Sequence, residues 1–502
     1  MNSRAAIRAI TGILLCVAGL RLALPTPYRE RTFPFDAGGC RLETTIVEKQ
    51  GGGAQGSVLL FHGISANKKI MAYHARGFAE QGLRVYVPDL PGHGRTPGPF
   101  SPARAEQCGE ALVRELLTRG LISPDRTILA GHSMGGAIAI RVAARVPVAG
   151  VIAISPAPMR AAHGVTPEKL LFSDPPILAP HSLVMAGSLE LESMRRNAGD
   201  LVASRTDASA IYVEIPGASH VSVLFNRAAM RASQEWSARV LHLTSAAALP
   251  SYRPLLGALA GLVGILLIAG PFLREAVGKD TSKESGAAGA ILSKPWLFLE
   301  YVIGSLLIVL VLRIGTPLKA IRVFQGDYLA SFLFLFGALL LVAHGSRVRS
   351  ALSNFPRHLL AAGFAGIVLL LIVTAWFDLT FYEAWLTTAK WARFPFLLAV
   401  LLPYHFAEET LLGPLQQGKR WRRLALALTL RLITWGAMMG GVLLLHSGEI
   451  LIGLLAFYVA LFNIAQRSGM DIVREETASA AATALFGAIL LAGFCLVIFP
   501  LT

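Results

Sequence analysis

The stretch from Thr127 to Ile138, TILAGHSMGGAI, constrains the fold of this chain more than any other. Its apolar start is typical of a buried strand, and it runs directly into Gly-His-Ser-Met-Gly. The residues from Gly136 to Val146 have the composition of a helix. Small residues on either side of Ser133 permit a sharp turn. The pattern predicts a strand, a turn with Ser133 at its tip, and a helix whose free N–H groups lie beside the serine hydroxyl. The alternative is a glycine-rich turn whose serine only caps the helix.

Length and composition divide the chain into parts. With 502 residues, 54% of them hydrophobic, and a mean hydropathy of +0.56, the chain is too long for one domain and too apolar to be wholly soluble. We predict an N-terminal transmembrane anchor over residues 1–27, a globular domain over 28–247 and a multi-pass membrane domain over 248–502. The first segment could instead be a cleaved signal peptide, but it has no small-x-small cleavage site.

The globular domain alternates predicted strands with helices after an entry hairpin formed by residues 31–36 and 41–48. This order is typical of an α/β fold with a mainly parallel sheet and helices on both faces. Ligands in such folds bind above the carboxyl ends of the strands. The predicted strands after the hairpin cover residues 57–63, 83–89, 127–132, 149–155, 182–186 and 211–215, and the predicted helices cover 68–80, 103–118 and 223–241.

A serine at such a turn needs a base and an acid to act as a nucleophile. His220 follows the last predicted strand in a glycine-containing loop, where its imidazole could accept the proton of Ser133 and later return it to the leaving group. Glu190 follows the preceding strand and is the predicted acid that orients His220. Glu192 and Asp174 are alternative acids.

A reaction at an acyl carbonyl also needs hydrogen-bond donors for the oxyanion. The backbone N–H of Met134 is the first predicted donor, and that of Ile64, just beyond His62-Gly63, is the second. His62 and His93 are interpreted as scaffold residues that shape these loops. No Cys, His or carboxylate cluster has the spacing of a metal site, so we predict neither a metal nor another cofactor.

Five motifs occur in order along the chain: Phe61-His-Gly-Ile, Asp89-Leu-Pro-Gly-His-Gly-Arg-Thr, Gly131-His-Ser-Met-Gly-Gly, Gly187-Ser-Leu-Glu and Gly217-Ala-Ser-His. Together they resemble an α/β-hydrolase of the monoacylglycerol lipase and serine aminopeptidase group. The resemblance covers residues 33–245 and implies a Ser133–Glu190–His220 triad, oxyanion donors at Ile64 and Met134, and carboxylesterase or lipase-like activity. The chain departs from the family by using Glu in place of the usual Asp and by having a short lid segment at 157–180.

The C-terminal part contains long apolar runs, from which we predict eight membrane helices, plus or minus one. The two runs near 394–411 and 451–466 fit this length least well. Within this part, Glu408-Glu409 faintly resembles the Glu-Glu motif of membrane-embedded CAAX-type proteases, although Gly413 stands where that family has arginine. Arg431 lies in an apolar run, where it could pair with one of these glutamates or extend to the membrane surface.

The formal charge of +15 could suggest nucleic acid, but many basic residues lie between the apolar runs and act there as topology determinants. The loops at 274–294, 347–357 and 419–423 are rich in Lys and Arg, which predicts an extracytoplasmic globular domain in a bacterial cell membrane. Three arginines just after the first apolar segment, at positions 21, 29 and 31, oppose this orientation. Cys40 and Cys108 could pair in an oxidising compartment, but the sequence does not show that they are adjacent.

The leading hypothesis is a membrane-anchored serine hydrolase. Its substrate would be an ester whose acyl group is lipid-like or otherwise apolar. Its expected partners are this substrate and membrane lipids, and no nucleic acid. A second hypothesis keeps the triad but transfers the acyl group to an acceptor other than water. A third is a transporter or sensor whose hydrolase-like domain only binds, although a binding module has no need of all three triad residues.

Overall fold

The computed structural model describes residues 3–24, 26–167, 170–173, 176–207, 209–243, 247–278, 294–315, 317–352, 358–413, 420–444 and 453–502. The chain forms two compact units. The sheet unit comprises Ala23–Leu255, Asp378–Thr387 and Ile498–Thr502. The helical unit comprises Met1–Leu22, Leu256–Phe377 and Thr388–Val497. The predicted boundary near residue 247 assigned 378–387 and 498–502 to the membrane domain, whereas their contacts make them part of the sheet unit.

The sheet unit contains eight strands in the spatial order β1-β2-β4-β3-β5-β6-β7-β8. The hairpin β1–β2 is antiparallel, β2 pairs antiparallel with β4, and every later neighbouring pair is parallel. The predicted entry hairpin and parallel sheet are therefore confirmed. The strands are β1 (Tyr28–Ala37), β2 (Cys40–Lys49), β3 (Ser57–Phe61), β4 (Arg84–Pro88), β5 (Thr127–His132), β6 (Gly150–Ile154), β7 (Ser182–Gly187) and β8 (Ala210–Ile215).

Helices connect the strands and differ from the predicted ranges mainly at their starts. The predicted helix over 68–80 begins only at Ala72, because Asn67 to Met71 form hydrogen-bonded turns. The predicted last helix over 223–241 begins at Arg227, where Asn226 caps it by accepting from Ala228 N and Ala229 N. The helices up to this point are α1 (Ser3–Ala23), α2 (Ala72–Glu80), α3 (Pro102–Thr118), α4 (Met134–Ala143), α5 (Glu192–Ala203) and α6 (Arg227–Val240).

The core lies on both faces of the parallel strands. Along β3, Val58 and Leu60 join an apolar cluster that contains residues of α2 and α6, such as Phe78 and Trp236. Phe61, of opposite parity, faces α3, where a side chain at Gly109 would approach its ring to 3.4 Å. Since successive side chains of a strand point to opposite faces, a strand buried on both faces is apolar throughout, as β3 is.

One covalent bond crosses the sheet unit. Cys40, the first residue of β2, is joined to Cys108 of α3 by a disulfide, with their Cα atoms 5.5 Å apart. This Cα separation is typical of disulfides. The pairing that the sequence left open is thus present, and Cys16 and Cys495 are free thiols.

The helical unit continues the chain with long apolar helices. Among the described residues, seven helices are long and apolar enough to cross a membrane, α1 included, which indicates a membrane protein. The runs predicted near 394–411 and 451–466 lie largely in α12 (Thr388–Leu412) and α14 (Ala456–Thr477), which are not among the seven. The helices are α7 (Arg253–Val277), α8 (Lys294–Ile314), α9 (Gly326–Ala343), α10 (Gly345–Leu352), α11 (Leu359–Thr380), α12 (Thr388–Leu412), α13 (Arg420–Leu444), α14 (Ala456–Thr477) and α15 (Ala480–Ile498).

A buried network of charges joins α12, α13 and α14. Arg431 is fully buried and donates two hydrogen bonds to the carboxylate of Glu408, at 2.7 and 2.8 Å. Arg467 donates to both Glu409, at 2.5 Å, and Asp471, at 2.7 Å. Of the two interpretations of Arg431, the structure contains the pair with Glu408. Such paired charges avoid the large cost of an isolated ion in an apolar surrounding.

Candidate active site

The turn between β5 and α4 holds Ser133 in a backbone conformation that few residues adopt. Its φ is 54° and its ψ is −118°, outside the regions favoured by residues with a side chain. Two glycines make the turn possible: a Cβ atom at Gly131 would lie 2.2 Å from the carbonyl oxygen of Gly135, and one at Gly135 would lie 2.3 Å from that of Phe61. The predicted strand, turn and helix are all present, and Ser133 is partly exposed at the tip.

The three residues predicted to form a triad come together in the structure. Ser133 Oγ lies 3.0 Å from His220 Nε2, and His220 Nδ1 lies 3.2 Å from Glu190 Oε2. Since a carboxylate only accepts, Nδ1 carries the proton and Nε2 is free to accept from the serine hydroxyl. These distances permit the proton transfer that a serine nucleophile requires. The assignment of catalytic roles to the three residues is a proposal that the geometry supports.

Glu190 is held by more than the histidine. Its Oε1 accepts from the amide of Gly187 at 2.8 Å and from the hydroxyl of Ser155. Burial would raise the pKa of Glu190, but His220, Ser155 and the Gly187 amide together lower it, so the carboxylate is charged at neutral pH. Glu192, the alternative acid, forms an exposed pair with Arg196, and Asp174 lies outside the described residues.

The predicted oxyanion donors lie on two different segments. Met134 is the first residue of α4, where amide groups have no acceptor within the helix. The loop that carries Ile64 packs against the serine, since a Cβ atom at Gly63 would lie 3.0 Å from Ser133 Cβ. Within the described part of the chain, neither amide N–H has a hydrogen-bond acceptor. That both donate to an oxygen atom above Ser133 is a proposal.

This geometry is accompanied by a family match. Residues 58–285 match the model of the alpha/beta hydrolase family. The chain contains an α/β-hydrolase domain. The fold and the resemblance predicted from the sequence motifs are thus confirmed, whereas the match does not identify the residues that act in it.

The chain is similar to two curated proteins over part of its own length and part of theirs. It is 33% identical over 102 residues to the AB hydrolase superfamily protein YisY of Bacillus subtilis. The aligned residues are 20% of this chain and 36% of that protein. It is also 30% identical over 100 residues to the esterase YjfP of Escherichia coli. That alignment covers 18% of this chain and 40% of that protein. The chain spans less than half the length of either relative.

Among solved structures, the chain is similar to EstE1, a thermophilic carboxylesterase cloned from a metagenomic library. The two share 17% identity with a TM-score of 0.37, over 49% of this chain and 99% of that one. Residues 157–180, predicted to be a short lid segment, have no strand and no α-helix in their described part. Also within the described residues, no group of three His, Cys, Asp or Glu side chains could hold a metal ion.

Two residues that the sequence motifs did not single out contact the residues of the proposed triad. His132 Nε2 lies 2.7 Å from the carbonyl oxygen of His220, and Ser155 binds Glu190. Burial, and secondarily the neighbouring His220, lowers the pKa of His132 well below its usual value, so the ring is neutral. The position of His132 directly before the serine is the one sequence signal that could have identified it.

The interpretation of His62 as a scaffold residue agrees with its contacts. His62 Nε2 accepts from Leu90 N at 2.9 Å, and Nδ1 donates to the carbonyl of Gly63 at 2.7 Å. Burial lowers the pKa of His62 to about 4, so its ring is neutral at physiological pH. The ring joins the loop after β3 to the loop after β4.

Proposed function

We propose that this protein is a membrane-anchored serine hydrolase that cleaves esters of apolar acyl groups through Ser133, His220 and Glu190. The observation that carries the proposal is the continuous hydrogen-bonded chain from Ser133 Oγ through the His220 ring to Glu190, with separations of 3.0 and 3.2 Å. The esterase named among the relatives supports the reaction class.

In the proposed reaction the triad and the oxyanion donors act once in acylation of Ser133 and once in hydrolysis of the acyl-enzyme. Ser133 Oγ attacks the ester carbonyl carbon while its proton passes to His220 Nε2, and the oxyanion accepts from the amides of Ile64 and Met134. The carbon–oxygen bond to the alcohol then breaks, and the alcohol leaves with the proton from Nε2. A water molecule repeats the sequence on the acyl-enzyme, releasing the carboxylic acid and restoring the serine. Glu190 stays ionised and balances the positive charge on the ring.

Two observations support an apolar substrate. Leu189 and Leu191, on either side of Glu190, are 69% and 51% exposed although both are large and apolar. Exposed apolar side chains beside a site favour apolar ligands. The helical unit, with its long apolar helices, would also keep the enzyme beside membrane lipids.

We also propose that the α/β-hydrolase domain lies outside the cytoplasm. The Cys40–Cys108 disulfide supports this location, because disulfides persist in oxidising compartments and are rare in the cytosol. The basic loops of the membrane part support the same orientation.

The reaction is tested with the purified full chain in detergent, a p-nitrophenyl ester series and a fluorophosphonate probe. Ser133→Ala should abolish both hydrolysis and labelling, whereas Ser101→Ala, a matched change at an exposed serine that caps α3, should leave both unchanged. Mass spectrometry of the products should find the free acid. Undiminished labelling of Ser133→Ala would contradict the nucleophile, and an acylated acceptor other than water would indicate acyl transfer.

The orientation is tested by adding a protease to intact spheroplasts. We expect cleavage within residues 29–247, while the basic segment at 419–423 should be cut only after the membrane is opened. Protection of the α/β-hydrolase domain in intact spheroplasts would invert the topology and direct attention to substrates on the cytosolic side.

A further inference from the structure

The sheet unit contains a segment from a distant part of the sequence, Asp378–Thr387, which covers the end of α11 and the connection to α12. The Asp378 carboxylate accepts from the amide of Trp385 at 3.3 Å, which closes the segment into a loop. Glu383, Ala384 and Leu386 are buried. This loop is therefore a packed part of the sheet unit. Tyr382 and Glu383 contact the loop from His62 to Lys68, which packs beside Ser133.

The first contact is made by Tyr382. Its hydroxyl donates to the backbone carbonyl of Ser65 at 2.9 Å. Ser65 directly follows Ile64, whose amide is the proposed oxyanion donor. Ser65 has a φ of 57°, in the left-handed region that residues with a Cβ atom seldom adopt. A loop in this conformation needs external contacts to keep it, and Tyr382 supplies one at the residue next to Ile64.

The second contact is made by Glu383, the residue after Tyr382, and it reaches the far end of the loop from His62 to Lys68. Glu383 Oε1 lies 2.6 Å from Lys68 Nζ, and its backbone carbonyl accepts from the side chain of Asn67 at 3.4 Å. Lys68 also pairs with Asp89, whose other oxygen accepts the Lys68 amide at 2.8 Å. The side chains of Lys68, Asp89 and Glu383 are 4% exposed or less. Buried charges of this kind are costly unless they are paired, so the pairing fixes where Lys68 can lie.

The loop from His62 to Lys68 is thus held at three points. His62 is tied to the amide of Leu90, Ser65 to Tyr382, and Lys68 to Asp89 and Glu383. The amide of Ile64 lies between the first two points. An oxyanion donor contributes only if it is held within a few tenths of an ångström of its productive position before the reaction starts.

We propose that Tyr382 and Glu383 are positioning residues that hold the Ile64 amide where it can donate to the oxyanion. This inference rests on the proposed function, because it needs an oxyanion at Ser133. It extends that function by giving the loop between α11 and α12 a role in the reaction. Purely structural contacts would stabilise the fold without affecting the oxyanion. The two roles therefore differ in whether loss of the contact weakens the hydrogen bond to the substrate oxygen.

The test compares an ester with the matching thionoester, in which sulfur replaces the carbonyl oxygen. Sulfur accepts hydrogen bonds more weakly than oxygen, so a well-placed donor makes the enzyme prefer the ester. Tyr382→Phe and Glu383→Gln should each lower kcat for the ester about tenfold, part of the roughly 10²–10³-fold lost when an oxyanion donor is removed. KM should change little, and the ratio of ester to thionoester kcat/KM should fall severalfold, because the thionoester loses less.

Active enzyme is counted in each preparation by fluorophosphonate titration, so that misfolded protein does not enter the rates. Trp385→Phe is the matched control: it lies in the same loop, but its side chain is 46% exposed, and the rate ratio should equal that of the wild type. If Glu383→Gln fails to fold, Tyr382→Phe carries the test alone, since it removes only a hydroxyl group.

An unchanged ester-to-thionoester ratio in correctly titrated Tyr382→Phe would overturn the positioning role. That result differs from a failure of the proposed function, in which Ser133→Ala would still hydrolyse the ester. If Ser133→Ala is inactive and Tyr382→Phe keeps the wild-type ratio, the triad stands and the contact of Tyr382 with Ser65 serves the fold alone.

Discussion

His132 Nε2 lies 2.7 Å from the backbone carbonyl oxygen of His220, so the residue before the proposed nucleophile holds the residue proposed as its base. Because a carbonyl only accepts, the Nε2 of His132 carries the proton. The two rings lie 4.9 Å apart, and the lowered pKa of His132 keeps a second positive charge away from the imidazolium that would form on His220. The backbone at His220 is thus held by the last residue of β5, directly before Ser133.

We predict that His132→Phe keeps a ring in this place but loses the hydrogen bond. The net value of one such bond is about 0.5–1.5 kcal/mol, which corresponds to a reduction of kcat of about two- to tenfold. Steady-state kinetics with a p-nitrophenyl ester would measure it, with KM expected to stay constant. His163→Phe, which removes an exposed histidine paired with Asp200, is the control and should have wild-type kinetics. Equal kinetics for both variants would argue against a role for His132.

We predict that Glu190→Gln leaves the fold intact but lowers kcat by about 10³–10⁴-fold, the loss expected when the acid of a triad no longer orients its histidine. Glu192→Gln is the matched control, because Glu192 pairs with Arg196 at the surface, where its side chain is 64% exposed. Circular dichroism would check the fold. A mild effect at Glu190 together with a severe one at Glu192, or in Asp174→Asn, would mean that another carboxylate is the acid.

The stability of the α/β-hydrolase domain should depend on the protonation of Glu383. Burial, followed by the adjacent Asp89, raises the pKa of Glu383 from 4.5 to about 7, although Lys68 opposes the shift; Arg95 also lies nearby. A carboxyl whose pKa is higher in the folded state favours folding below its unfolded pKa, and this contribution is lost as the pH rises through about 7.

Glu383→Gln cannot lose a proton, so it should show a flatter pH dependence. We expect the unfolding midpoint of the wild type, relative to that of Glu383→Gln, to fall as the pH rises from 5 to 8. Thermal unfolding followed by tryptophan fluorescence in detergent would measure the difference. A relative midpoint that rises over this range would show that Lys68 outweighs burial and that Glu383 is charged throughout.

The network in the helical unit offers a test of how buried charges are tolerated. Arg431→Met removes the bidentate partner of Glu408. It should destabilise the helical unit by about 3–5 kcal/mol, the typical cost of leaving one member of a buried ion pair without its partner. Arg431→Met combined with Glu408→Met should recover much of this loss. Arg422→Met, at an exposed arginine of α13, is the control for charge removal. If the double variant is no more stable than the single one, the two residues do not act as a pair.

Local patterns in the sequence were sufficient wherever the relevant contacts lie close along the chain. Glycines around Ser133 indicated the turn because only residues without a Cβ atom fit there, and the structure contains these close approaches. The apolar runs indicated the strands because strands buried on both faces have no polar face. The starts of α2 and α6 were missed, because turns and caps at these sites depend on hydrogen bonds of individual residues such as Asn226.

The sequence by itself thus determined the strand order along the chain, the turn at Ser133 and the candidates for base and acid, because periodicity, glycine and loop position are local properties. Only the tertiary structure decided that Cys40 bonds to Cys108, that Arg431 binds Glu408 and that Tyr382 binds the carbonyl of Ser65. Tyr382 and Ser65 are separated by 317 residues. Every residue has a backbone carbonyl, so the residue type at position 65 does not reveal that its carbonyl accepts from a tyrosine. Such contacts follow from how distant segments pack, which composition and spacing do not encode.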